Sequence, residues 1–182
     1  MSTKPVLRMG HPLLRQAAEN VAYDEIKSEE FSQLIRDMYD TMKQEGGIGI
    51  AAPQIGVSKQ VAIIELPEDS ERYEEVEKTP LLVIINPVLT VLDNEKKGYW
   101  EGCLSVPGLR GYVERPQKIK VEFTDLDLKK QTLELDGFLA TVFQHELDHL
   151  SGTLYVDKIK DTKHLSYEEE FIQFFRDEDT LE

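Results

Sequence analysis

Apolar residues recur at helical spacing between residues 28 and 45, where Phe31, Leu34, Ile35, Met38 and Met42 fall on one face of a 3.6-residue repeat. Ser28 stands where an N-cap is needed, and Gly46-Gly47 ends the segment. A second helix is predicted over Phe138 to Leu150, with Phe138, Leu139, Val142 and Phe143 on its apolar side and Gly152 ending it. A third is predicted over Tyr167 to Arg176, where Ser166 and Glu169 have capping-box spacing ahead of Phe171, Ile172, Phe174 and Phe175.

Strand patterns lie between these helices. Val61 to Leu66 is a β-like run, and Leu81 to Ile85 and Val88 to Leu92 flank Asn86-Pro87. Lys118 to Thr124 and Gln131 to Leu135 alternate as half-buried strands joined by a polar turn. Gly46 to Gly56 reads as a small-residue loop, and the acidic, proline-bounded stretch 67–80 as an exposed one. Clustering of strands between helices predicts an α+β fold of mostly antiparallel strands packed around the second helix, with an N-terminal and a C-terminal helix. At 182 residues without internal repeats, residues 1–182 are expected to form one domain.

Charge narrows the function more than the fold. Acidic residues outnumber basic ones 35 to 21, giving a formal net charge of −14. Such a surface repels phosphate backbones and anionic lipids, so direct nucleic-acid binding and membrane attachment are not expected. The most apolar run, Leu81 to Leu92, is interrupted by Asn86-Pro87 and is too short to span a bilayer. Met1 to Pro5 carries no hydrophobic signal core, and the single cysteine excludes an internal disulfide, so a cytoplasmic location is expected.

The segment His145-Glu146-Leu147-Asp148-His149 carries the clearest chemistry. Positions i and i+4 of a helix share a face, so both imidazoles reach one cation, and Glu146 lies beside it to take a proton from water. A catalytic site needs a third protein ligand. The position that a metzincin fills with histidine holds Tyr155. Glu168, Glu169 and Glu170 are at plausible distance, although a glutamate run early in a helix more often forms a solvated face. Cys103, within Glu101-Gly102-Cys103-Leu104-Ser105, is the remaining candidate, and a Cys/His/His set suits zinc or ferrous iron.

Three separated segments resemble the peptide deformylases: Gly47-Ile48-Gly49-Ile50-Ala51-Ala52-Pro53-Gln54, then Glu101 to Ser105, then Gln144-His145-Glu146-Leu147-Asp148-His149-Leu150-Ser151-Gly152. The segment Gly10-His11-Pro12-Leu13-Leu14-Arg15 also fits that family. The resemblance implies removal of the formyl group from the N-terminal formylmethionine of nascent polypeptides. It implies one divalent metal, physiologically Fe²⁺ with Zn²⁺, Ni²⁺ or Co²⁺ as substitutes, on Cys103, His145 and His149. Glu146 would be the general acid/base, and Gln54 with the backbone N–H of Leu104 the oxyanion hole. Gly49 would bond the peptide backbone and Ile48 would flank the methionine pocket. Arg110 is a candidate for the substrate's peptide carbonyls, or else an ordinary solvated arginine. Asp148 either orients a ligand histidine or simply faces solvent, and Glu101 is a candidate to pair with Arg115 and hold the cysteine strand, the alternative being an exposed surface ion pair. The acidic runs Glu168 to Glu170 and Asp177 to Asp179 would repel ribosomal RNA, which puts ribosome docking in doubt. The rival reading is a small zinc endopeptidase with a downstream glutamate ligand; a non-catalytic metal protein is the third, disfavoured because structural sites normally present four protein ligands.

Overall fold

The computed structural model describes residues 3–66 and 79–176. Helix α1 (Tyr23–Ile26) leads into α2 (Glu29–Gln44), whose first turn is capped by Ser28 accepting a hydrogen bond from the Phe31 amide. Strands β1 (Gly49–Ala51), β2 (Val61–Leu66), β3 (Thr79–Cys103), β4 (Val106–Thr124) and β5 (Lys130–Asp136) follow, then α3 (Gly137–Leu150), β6 (Leu165–Tyr167) and α4 (Glu168–Phe174). The strands form one antiparallel sheet in the order β1-β2-β3-β4-β5, with β6 added against β4. Helices and antiparallel strands thus combine as the clustering of patterns implied. Among the described residues, no helix is long and apolar enough to cross a membrane.

Strand β2 explains its own unbroken apolar run. Val61 and Ile63 pack with Phe31, Met38 and Met42 of α2, whereas Ile64 and Leu66 pack with Leu139, Ala140 and Phe143 of α3. Alternate side chains point to opposite faces, so a strand covered on both faces has no place for a polar residue. The two helices therefore clamp one sheet from either side. Phe143 is completely buried, and each such side chain contributes about 1.5–3 kcal/mol.

Several sequence expectations are corrected. Residues 46–56 are no simple loop, because Gly49–Ala51 forms β1 against Ile64 to Ala62 and Ala52–Ile55 turns as a 3₁₀ helix. Asn86-Pro87 does not separate two strands. Asn86 takes a left-handed φ of 50°, and the register with β4 shifts between Ile85 and Val88, so β3 continues through a bulge. Asn86 suits that bend because its side-chain amide bonds both the N–H and the C=O of Val21, at 2.8 Å each. The polar stretch from Asp93 to Lys97 continues β3, held by pairing with β4 rather than by burial. The loop expected over 67–80 lies outside the described residues, except Thr79-Pro80, which open β3. The C-terminal helix is shorter than expected and lacks the capping box: Ser166 is paired in β6, and Tyr167 is the N-cap without a side-chain bond.

Candidate metal centre

Helix α3 puts His145 and His149 on one face, and β3 delivers Cys103 to them at its last residue. The ligand atoms of Cys103, His145 and His149 lie within 4.8 Å of one another, with Cys103 Sγ 3.3 Å from His149 Nε2. Among the described residues this is the one such group that could hold an ion. Glu168 of α4 instead accepts hydrogen bonds from Arg110, and Glu169 and Glu170 are exposed. Tyr155 stacks on His145 at 6.0 Å and donates its hydroxyl proton to the Leu109 carbonyl.

Glu101 fixes the orientation of His145. Its Oε2 lies 2.7 Å from His145 Nδ1, and a carboxylate only accepts, so Nδ1 carries the proton and Nε2 is left as the donor atom. Arg115 holds both oxygens of Glu101, at 2.5 and 3.0 Å, and also bonds Asp148 at 2.7 Å. Glu101 and Arg115 are both buried, so this is no surface ion pair. Asp148 is bonded to Arg115 and paired with Lys158, so it neither orients a histidine directly nor simply faces solvent. The sequence signal for Glu101 was its place two residues before Cys103, although the register of β3 with β4 shifts between the two, so strand alternation alone does not fix their common direction.

The ionisable groups of the pocket are shifted by burial and by one another. Burial raises the Glu101 carboxyl, but the hydrogen bonds from His145 and Arg115 outweigh it and hold it below the usual range. Burial likewise disfavours charge on His145, yet the sulfur of Cys103 and Glu101 beside it carry its basicity well above the ordinary value. His149, buried and facing His145 and Arg115, is pushed well down and stays neutral. Burial pushes Glu146 up to about 7, and its Oε2 has no hydrogen-bond partner among the described residues, nor does His149 Nδ1. A soft sulfur and two imidazole nitrogens are a donor set that fits a divalent transition metal, and the Glu146 carboxylate stands beside them without a partner for its Oε2 among the described residues.

The opposite wall comes from the first glycine-rich segment. A Cβ at Gly49 would lie 2.5 Å from Glu146 Oε1, so only glycine leaves room for that carboxylate. Gln54 is buried, and its Oε1 accepts the Ala51 amide at 2.8 Å, which turns its NH₂ toward Ser105 Oγ at 3.2 Å and Cys103 Sγ at 3.5 Å. Ser105, missed in the sequence, is wholly buried and donates its backbone N–H to the same sulfur at 3.4 Å. A cleft of about 890 Å³ is bounded by Ile48, Gly49, Gln54, Leu104, His145 and Glu146, and Arg110 and Glu168 lie along it too. The structure thus gathers Ile48, Gly49, Gln54, Cys103, Leu104, Arg110, His145 and Glu146 around one cleft with His149 behind them, and leaves Glu169 and Glu170 exposed outside it.

A sequence model of the polypeptide deformylase family matches residues 3–165. A peptide deformylase of Leptospira biflexa is 46% identical over 170 residues, covering 93% of this chain and 95% of its own. Peptide deformylase 1 of Nitrosomonas europaea is 46% identical over 164 residues, covering 90% and 92%. The Met-Ala-Ser-bound crystal structure of a class I type b peptide deformylase from Acinetobacter baumannii superposes with a TM-score of 0.82 at 38% identity, over 87% of this chain and all of that one. An actinonin complex of the Synechococcus elongatus enzyme gives 0.77 at 38% identity, over 88% and 82%. With the match running through nearly the whole chain, this chain belongs to the peptide deformylase family.

Proposed function

We propose that this chain, acting as a single catalytic domain over residues 1–182, hydrolyses the formamide of N-formylmethionyl peptides with one divalent cation held by Cys103, His145 and His149. The observation that carries this reading is the convergence of three ligand atoms within 4.8 Å beside a buried glutamate. The cation, when bound, supplies Lewis-acid activation of water and countercharge for the carbonyl oxygen.

Glu146 accepts the proton of the attacking water and passes it to the leaving nitrogen, giving formate and a free amine. Its carboxyl, raised toward neutrality by burial, suits both halves of that transfer. Attack makes the formyl carbon tetrahedral and its oxygen anionic. The Gln54 NH₂, pinned by the Ala51 amide, exchanges its long bond to the Cys103 sulfur for that oxygen, and the backbone N–H of Leu104 donates to it as well. The Gly49 backbone aligns the peptide, Ile48 flanks the methionine side chain, and Arg110 binds peptide carbonyls. Helix α3 is then the metal-bearing centre of the fold.

Thiolate and imidazole ligands suit ferrous iron, which we propose as the native ion, with zinc, nickel or cobalt able to replace it. The net charge of −14 supports an enzyme that meets its substrate as a peptide, without direct nucleic-acid or membrane binding, and the single cysteine suits a cytoplasmic location. The test is formate release from formyl-Met-Ala-Ser by anaerobically prepared, iron-loaded protein. Absence of formate with full metal content overturns the assignment, and internal cleavage of unformylated peptides would favour the endopeptidase.

A further inference from the structure

We propose that Glu168 is a positioning residue for substrate binding, holding the Arg110 guanidinium toward the peptide that follows the formylmethionine. This rests on the assignment of Arg110 to the substrate's peptide carbonyls. Strand β6 pairs with β4 so that Arg110 lies opposite Ser166, and Glu168, the first residue of α4, follows that strand directly. Its Oε1 accepts from both Nε, at 3.2 Å, and Nη2 of Arg110. On the other side the guanidinium lies over Gly102, where a Cβ would stand 2.2 Å from Nη1. Arg110 is therefore held between a carboxylate and the backbone next to Cys103, with its side chain 15% exposed.

A free arginine side chain loses much rotamer freedom when it binds, and one already fixed does not. Glu168 removes that cost before substrate arrives. Helix α4 has a separate anchor: Phe171 and Phe175 lie 5.2 and 5.1 Å from Trp100, ring centre to ring centre. Losing the Glu168 charge therefore leaves the helix docked while Arg110 is freed.

The experiment compares Glu168→Gln, Arg110→Ala, Phe171→Ala and Glu169→Gln with wild type, using formyl-Met-Ala-Ser and N-formylmethionine as substrates. Glu168→Gln should raise KM for the tripeptide about fivefold, leave kcat within about twofold, and leave KM for N-formylmethionine unchanged. Arg110→Ala should raise the tripeptide KM at least as much, and Glu169→Gln should match wild type. Emission from Trp100, the only tryptophan, should stay at its wild-type position in Glu168→Gln and shift in Phe171→Ala. An unchanged KM in Glu168→Gln beside a raised one in Arg110→Ala overturns the role of Glu168 alone. A raised KM accompanied by the Phe171→Ala emission shift makes Glu168 a prop for α4 and also overturns it. An unchanged KM in Arg110→Ala removes the Arg110 assignment and this inference with it.

Discussion

Glu101 accepts the Nδ1 proton of His145 at 2.7 Å while Arg115 grips both of its oxygens, so one buried carboxylate joins a strand arginine to a helix histidine. Removing it leaves the imidazole free to turn and the guanidinium buried without its main partner. Glu101→Ala should therefore weaken metal retention about 10–100-fold and destabilise the fold by about 3–5 kcal/mol. Metal titration and denaturant unfolding read the two effects separately. Wild-type metal retention in the variant would remove Glu101 from the centre.

Glu146 touches the reacting atoms in our scheme without binding metal. Glu146→Ala should keep near-full metal content and lose about 10²–10⁴-fold in kcat. Comparable turnover would end its assigned role.

The same carboxyl predicts a pH dependence in the metal-free protein. Its ionisation is raised on folding from 4.5 to about 7, so the folded state favours the protonated form. The stability this contributes is complete below about pH 4.5 and is lost as pH rises through about 7. Glu146→Gln, which cannot ionise, should gain on wild type across that window, by about 3 kcal/mol at most. Parallel stability curves from pH 5 to 8 would contradict it.

Cys103→Ser replaces a soft anionic ligand by a hydroxyl and should greatly weaken metal retention and abolish deformylation. The triple change of Glu168, Glu169 and Glu170 to Gln should leave metal content at the wild-type level, since none of them approaches the histidine pair. The reverse pattern, read by elemental analysis, would restore a glutamate ligand.

Gly49→Ala sets a methyl group against the Glu146 carboxylate, 2.5 Å from Oε1 and 2.7 Å from Cδ. The carboxylate must move, so kcat should fall at least about tenfold, with a stability loss of about 1–3 kcal/mol from overpacking. Full activity in a folded Gly49→Ala would show that Glu146 has another productive position.

The helical elements were legible because their signals are local. Phe31, Met38 and Met42 repeat at the period of one helix face, Ser28 caps its own turn, and the spacing of His145 and His149 is itself a statement about one face of α3. Strands are less so, because their partners are distant. Asp93 to Lys97 carries no apolar alternation and becomes strand only through the ladder to β4, while Ser166 is drawn into β6 by Leu109 to Gly111 and cannot cap a helix.

The residues alone therefore determined an α+β chain with a helix carrying two histidines and a glutamate, and the resemblance of three segments supplied the remaining candidates. Only the tertiary structure shows which candidate group lies beside the two histidines. Cys103 and His149 are 46 residues apart in sequence, and nothing in the pattern of either segment encodes their 3.3 Å approach. That approach depends on the end of β3 meeting α3, just as the hold on His145 depends on Glu101, rather than the nearer Asp148, reaching it. Helical spacing gives the direction in which a side chain points, whereas contacts between distant segments follow from how whole elements pack.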